Sequence, residues 1–328
     1  MTRSTSSSLR RHTRTRGSGD WGCGSQPLSE RCDLRGHGLP FSADVTEEAS
    51  HEGATFDGAA AEYDGIFTGS TLGRWMRERV WVRLDEHFSP GMRILELGCG
   101  TGEDAVWLAK RGVRVTATDA SQAMLSVARA KAAAAGVGDS IEWQTLDLGR
   151  LDSAQDNIAG LATHGAAESQ TSVLHFDGAL SNFGALNCVG DLQSVAELLG
   201  NSVRPGGRVV LVVMGPWCPW EIAWYAAHGQ FRDALRRLRS GGIDAFVGGR
   251  PLHVWYPPVG RLGKVFAPWF RHLGTFGIGA LLPPPYLGDL VTRWPRLFRR
   301  LNEAEERVSG WWPWNRLNDH YLVEFERK

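Results

Sequence analysis

The chain has 328 residues, 42% of them apolar and 22% charged, with 36 basic and 36 acidic side chains for a formal net charge of zero. That balance fits a soluble globular protein and excludes a collagen-like or wholly disordered chain. No global charge excess argues for nucleic acid, and the absence of a long apolar run argues against a membrane-spanning helix. The cysteines, Cys23, Cys32, Cys99, Cys188 and Cys218, are odd in number and scattered. They give neither a disulfide framework nor a C-x-x-C pair, so a reducing, cytoplasmic setting and no metal site are expected.

Residues 1–45 are rich in Ser, Thr, Arg and Gly, with Arg3, Arg10, Arg11, Arg14 and Arg16 before the first acid, Asp20. The composition is that of a transit peptide or of a plain disordered tail, and the fold is expected within 46–328. Cap helices are expected over 55–90. Phe56, Ala60 and Tyr63 share one helical face, and Trp75, Val80, Trp81 and Leu84 form a broad apolar stripe over 72–88 that Pro90-Gly91 ends. A strand follows at 93–97 and runs into Gly98, Gly100 and Gly102, then a helix over 104–110 and a second strand, 113–118, ending on Asp119. Strand, glycine turn and helix bring backbone close to a nucleotide-like ligand. An acid about 20 residues beyond the glycines is placed to take a ribose diol.

The dinucleotide fingerprint needs G-x-G-x-x-G, but here Glu103 stands where the last glycine belongs. Glu96 lies two residues before the loop, where a carboxylate would repel a pyrophosphate and suit a cation. The stretch ELGCGTG resembles motif I, E/D-x-G-x-G-x-G, of the class I S-adenosylmethionine-dependent methyltransferases. The resemblance implies an α/β, Rossmann-like fold: a seven-stranded, mostly parallel sheet with helices on both faces. It implies S-adenosylmethionine as cofactor and S-adenosylhomocysteine as product. Glu96 would order the loop and face the methionine ammonium. Gly98, Cys99, Gly100, Thr101 and Gly102 would form the loop, and Asp119 with Ala120 would hold the ribose. Within the F-D-x-x-A-x-x-Y-D pattern at 56–64, Tyr63 is either a lid over the methionine half or part of a plain amphipathic helix.

Beyond Asp119 an Ala-rich helix is expected over 122–135. Its Met124 packs either on adenine or in the core. The strand 141–145 leads to Asp147 and Leu148, where the resemblance puts a contact to the adenine amino group; a simple loop carboxylate is the other reading. Residues 151–172 read as a loop with a poor helix. A buried fourth strand over 173–180 ends at Ser181, Asn182 and Phe183, which should lie near the transferred methyl because ligands bind at this end of parallel strands. A helix over 192–199, an R-P-G-G-x turn at 204–208 and a strand over 209–214 complete the cofactor core, 91–214.

An insert after the fifth strand, 215–256, is expected to be a substrate lid, followed by the C-terminal part of the core, 257–328. The insert carries Trp217, Trp220, Trp224 and Trp255, and Arg232, Arg236, Arg237 and Arg239 read as a basic helical stretch. The tryptophans either line an apolar or aromatic acceptor pocket or fill a core. The arginines either coat a solvated helix face or touch a membrane carrying a lipid-like substrate. Strands over 270–282 and 317–325 flank a helical segment, 286–307. Methyl transfer from a sulfonium needs alignment and a dry pocket, and a base only where the acceptor loses a proton. His253, Tyr256 and His320, with His228 behind them, are the base candidates. Pro283-Pro284-Pro285-Tyr286 resembles the N/D-P-P-Y motif of amino-group methyltransferases but does not follow the fourth strand. The acceptor is thus expected to be a small molecule, with no nucleic acid. A catalytically silent cofactor-binding protein is the alternative.

Overall fold

The computed structural model describes residues 56–58, 60–151, 175–247 and 250–328. The expected tail at 1–45, most of the expected loop at 151–172 and the first two residues of the expected fourth strand lie outside these.

Seven strands form one sheet in the order β3-β2-β1-β4-β5-β9-β8. They are β1 (Arg93–Leu97), β2 (Arg114–Asp119), β3 (Ile141–Thr145), β4 (Phe176–Ser181), β5 (Val203–Met214), β8 (Phe270–Ile278) and β9 (His320–Arg327). The first five run parallel, and β9 enters antiparallel between β5 and β8. Alternate residues of the central strands face opposite sides, and both sides are apolar. Val209, Leu211 and Val213 join one core with Leu95 and Leu97. Val210 and Val212 join the other with Ile94, Val115 and Ala117.

Each face is covered by helices. One carries α2 (Thr71–His87), α3 (Glu103–Ala109) and α4 (Gln122–Ala134); the other carries α5 (Leu192–Ser202) and α8 (Val259–Phe266). Ser70 and Ser121 cap α2 and α4, their side chains accepting from Gly73 N and Met124 N, which satisfies amides the first turn leaves open. A four-residue helix, α1 (Ala60–Tyr63), continues into a wide π turn, Asp64–Thr68.

The expected strands are present with shifted ends. β8 stops at Ile278 because Gly279 turns to φ 69°. The R-P-G-G run at 204–208 belongs to β5 rather than standing apart as a turn. Gly206 adopts φ 77° there, and the register against β4 shifts between Phe176 and Gly178. The helical segment after 286 is two helices, α9 (Gly288–Arg293) and α10 (Pro295–Val308), parted where Pro295 removes an amide.

The insert differs from a basic helix. It holds α6 (Pro219–Ala227), the short α7 (Phe231–Ala234), a 3-10 turn at Arg236–Leu238 and an antiparallel hairpin of β6 (Ile243–Val247) with β7 (Arg250–Val254). Arg236 and Arg237 are buried rather than solvated, because the insert brings its own buried acid, Glu221, against them.

Candidate functional site

The strand order reverses between β1 and β4, whose carboxyl ends open a crevice, the usual ligand position in such sheets. The glycine loop stands there. Gly98, Gly100 and Gly102 all have positive φ, at 67°, 54° and 73°. A Cβ on Gly98 would meet the Cβ of Ala185 at 2.2 Å, whereas one on Gly100 would meet nothing within 4 Å. The loop is therefore packed tight at its base and open at Gly100, leaving room for a ligand against its backbone.

Asp119, at the tip of β2, braces the loop. Its carboxylate accepts from Gly100 N at 2.8 Å and Ser121 N at 2.9 Å. Burial nevertheless raises its pKa above the ordinary value. Glu96 is buried, and its Oε2 has no hydrogen-bond partner. Burial, followed by the Asp104 carboxylate, pushes the Glu96 carboxyl well above the usual range, with Arg77 opposing. An orphaned buried acid beside an open glycine loop fits a ligand that carries a cation and a ribose diol.

Cys99 is buried, its amide bonded to Thr118 O at 2.8 Å and its thiol pushed well up by burial, so it acts through the backbone. Ala120 is half-buried beside Asp119, and Met124 is buried on the first turn of α4, outside both sheet cores. Asp147 caps a short turn by accepting from Gly149 N at 2.9 Å, and Leu148 joins the core. Ser181 donates to Leu97 O at 2.9 Å and so ties β4 to β1.

Asp104 is a hub that the sequence reading missed. It accepts from Arg77 Nη1 at 2.5 Å, Asn182 Nδ2 at 2.9 Å and Trp81 Nε1 at 2.7 Å. The buried positions of α2 are Leu72, Gly73, Met76, Arg77, Val80 and Leu84. A charge inside that apolar stripe was the available signal for Arg77.

A roof covers the loop. Thr101 Oγ1 donates to Asp64 Oδ1 at 2.6 Å, and Lys131 Nζ stands 2.7 Å from Asp64 Oδ2. Burial raises the Asp64 pKa, but the Lys131 and Thr101 hydrogen bonds outweigh it and the net shift is downward. Ser121 Oγ donates to Asp57 Oδ1 at 2.5 Å. Burial raises the Tyr63 hydroxyl pKa, and the charges it feels include Arg77, Asp119 and Asp104. From the insert, the hairpin packs on Phe56, and Asn187 staples it down with bonds to Met214 and Trp255.

Beside the loop is an aromatic cluster. Phe183, strained at φ 44°, has its ring 5.0 Å from Phe67 and 5.4 Å from His320, with the Arg77 guanidinium 5.1 Å from its centre. His320 Nδ1 lies 3.1 Å from Asp319 Oδ2. A carboxylate only accepts, so Nδ1 donates, and in the neutral ring Nε2 is then the nitrogen with the lone pair. Arg237 donates to Asp319 Oδ1 at 2.8 Å and to Glu221 Oε2 at 2.7 Å, and Tyr286 OH donates to Glu221.

The other base candidates stand differently. Both ring nitrogens of His253 face acceptors, Asp244 Oδ1 at 2.6 Å and Gly241 O at 2.7 Å, so neither is available. Tyr256 is buried in the hairpin core with its pKa raised by that burial. His228 is exposed at the end of α6. The four tryptophans do not share one pocket. Trp220 packs on Phe298 at 5.8 Å, Trp224 on His228 and Trp255 on His253, while Trp217 is 46% exposed.

A family model described as a methyltransferase domain matches residues 94–207. The chain is 29% identical over 201 residues to tRNA 5-carboxymethoxyuridine methyltransferase of Escherichia coli (strain K12), covering 60% of this chain and 64% of that protein. It is 32% identical over 199 residues to 2-phytyl-1,4-naphtoquinone methyltransferase of Synechococcus elongatus, covering 58% of this chain and 70% of that protein. The chain thus spans about two thirds of these relatives' lengths. Among solved structures, the [4+2]-cyclase SpnF shares the fold, with a TM-score of 0.52 at 13% identity, covering 84% of this chain and 94% of that one.

Proposed function

The chain belongs to the class I S-adenosylmethionine-dependent methyltransferases, and from that membership we propose that it methylates a small, largely apolar or aromatic acceptor. The orphaned carboxylate of Glu96 beneath an open glycine loop carries the cofactor part of this reading. Bound there, S-adenosylmethionine supplies a methyl group on a sulfonium, open to in-line displacement. Glu96 faces the cationic methionine end, and Asp119, already braced by two amides, takes the ribose hydroxyls with its remaining lone pairs. Tyr63 and the Asp64 roof exclude water over the loop. The acceptor lies against Phe67 and Phe183, so the aromatic shell comes from the cap and the end of β4 rather than from the insert's tryptophans.

Where the acceptor must lose a proton, His320 Nε2 takes it as the acceptor–carbon bond forms and the carbon–sulfur bond breaks. Asp319 holds the imidazole in the required tautomer and balances the charge it gains. Of the two relatives, the name of one puts its acceptor on tRNA and that of the other on a naphthoquinone. The apolar cluster and zero net charge favour the second type.

Calorimetric titration with S-adenosylmethionine and S-adenosylhomocysteine tests the cofactor site, and turnover on naphthoquinols and other aromatic acceptors tests the chemistry. Asp119→Ala should weaken cofactor binding roughly ten- to a hundredfold, the worth of hydrogen bonds to a charged group. His320→Ala should leave binding intact and lower turnover about 10²–10⁴-fold. Wild-type cofactor affinity in Asp119→Ala would overturn the site, and undiminished turnover in His320→Ala would remove the base.

A further inference from the structure

The helix α10 ends favourably on Arg307, but its amino end carries charge of the wrong sign for its dipole. Arg296, Arg299 and Arg300 crowd its amino end, and no acid stands in its first turn, while Glu303, Glu305 and Glu306 follow toward the carboxyl end. The helix dipole favours the reverse arrangement. Arg293 adds a fourth cation just before it. All four arginines are exposed, and no ion pair among the described residues engages them. Between them lie two large apolar side chains, Trp294 at 56% and Leu297 at 50% exposure. The inward face is separate: Phe298 and Leu301 pack under the helix against Leu72, Leu282 and Trp220. The outward face therefore has apolar bulk and positive charge with no ion-pair partner among the described residues, on a chain whose net charge is zero.

Trp220 links this helix to the insert, where a second patch of the same character occurs. Phe231, Leu235 and Leu238 are 67%, 52% and 36% exposed and line one concavity with Arg232 and Arg239. The two arginines of that run with a structural duty, Arg236 and Arg237, are turned inward, so the pair left outside is the pair flanking the apolar residues.

We propose that the protein docks on an anionic bilayer surface through Trp294 and Leu297, with Arg293, Arg296, Arg299 and Arg300 on the lipid phosphates and the Phe231–Leu235–Leu238 patch as a second contact. Tryptophan and leucine enter the headgroup boundary, and arginine stems lie along it with their heads on phosphate. Phosphates at the amino end of α10 also complement the dipole that the arginines oppose. Nucleic acid would use the same charge, but leucines neither stack on bases nor read their edges, which favours the bilayer. Docking goes beyond the acceptor reading and needs no turnover.

The test is co-sedimentation of the full chain with phosphatidylcholine vesicles containing phosphatidylglycerol, against pure phosphatidylcholine vesicles and against total RNA in a mobility shift. Wild type should pellet with the anionic vesicles alone, and binding should weaken in high salt. Arg296→Glu/Arg300→Glu should lower partitioning roughly a hundredfold, and Trp294→Ser/Leu297→Ser should lower it as well. Both variants should keep wild-type S-adenosylmethionine affinity and melting temperature, which separates a failure of docking from a failure of the cofactor site. No pelleting of wild type, equal pelleting with neutral vesicles, or wild-type pelleting by both variants would overturn the proposal; a shift of RNA without vesicle binding would assign the face to nucleic acid.

Discussion

Glu96 is the residue whose state should change most when the site fills. Buried, with Oε2 lacking a hydrogen-bond partner, its carboxyl is held well above the usual range, so it gives up its proton at a higher pH than an ordinary glutamate. A cation beside it favours the carboxylate. Binding of S-adenosylmethionine should therefore release a proton, and affinity should rise with pH until Glu96 ionises unaided. Calorimetry in two buffers of different ionisation enthalpy reads this directly, as an apparent binding enthalpy that differs between them in wild type and not in Glu96→Gln. At this scale the sequence was most informative where a role is local. Glu96, the three glycines and Asp119 sit on one strand–turn–helix–strand unit, so spacing alone places them. Asp104 lies on the same unit, but its partners Arg77 and Asn182, like the His320–Asp319 pair, belong to elements far apart in the chain, and only packing brings them to one place. His253 and Tyr256 looked equivalent to His320 as letters. Their hydrogen bonds and burial separate them.

Elements meet through a few side chains, and one such junction is tunable by acid. Arg83 of α2 donates to both oxygens of Glu324 on β9, at 2.6 and 2.9 Å, and His87 lies 3.2 Å away. Burial alone would raise the Glu324 pKa, but His87 and Arg83 more than offset it and lower it from 4.5 to about 2. A depressed acid stabilises the fold above its unfolded pKa and loses that contribution as pH falls through the folded one. Between about pH 4.5 and pH 2 wild type should lose up to about 3 kcal/mol through this group, and Glu324→Gln should lack that part of the slope. Urea unfolding from pH 2 to pH 6 measures both. Element type was legible for the sheet and its covering helices, since the central strands β1, β4 and β5 are short apolar runs feeding two cores and the helices carry an apolar stripe. The β6–β7 hairpin was not, because 243–254 holds polar residues and a proline, Pro251, in a short run whose pairing partner is only itself.

For the molecule as a whole, the insert is fastened to the core by charge rather than by apolar area alone. Arg237 is 6% exposed and sits between Glu221 of the insert and Asp319 at the start of β9, both buried. Their partners hold both carboxyls below the usual range against burial, which alone would raise them. Arg237→Leu would take one cation from two buried acids, leaving Glu221 to Arg236 and Tyr286 and Asp319 to His320, and loss of one partner from such a group costs about 3–5 kcal/mol, a fall in melting temperature on the order of 10 °C. Because Asp319 orients His320, turnover should fall further than stability explains, with cofactor affinity unchanged; scanning calorimetry alongside initial rates separates the two. The sequence showed four arginines in this region and not that two of them are internal, because the acids that receive them are 15 or more residues away. The roof above the glycine loop has a bearing of its own on timing. Asp64 bonds Thr101 of the glycine loop and Lys131 of α4, so with the cofactor held as proposed a spent nucleoside would leave only after that latch parts. A first turnover would then run ahead of the rest, and added salt, by screening the partly exposed Lys131–Asp64 pair, would quicken the later ones.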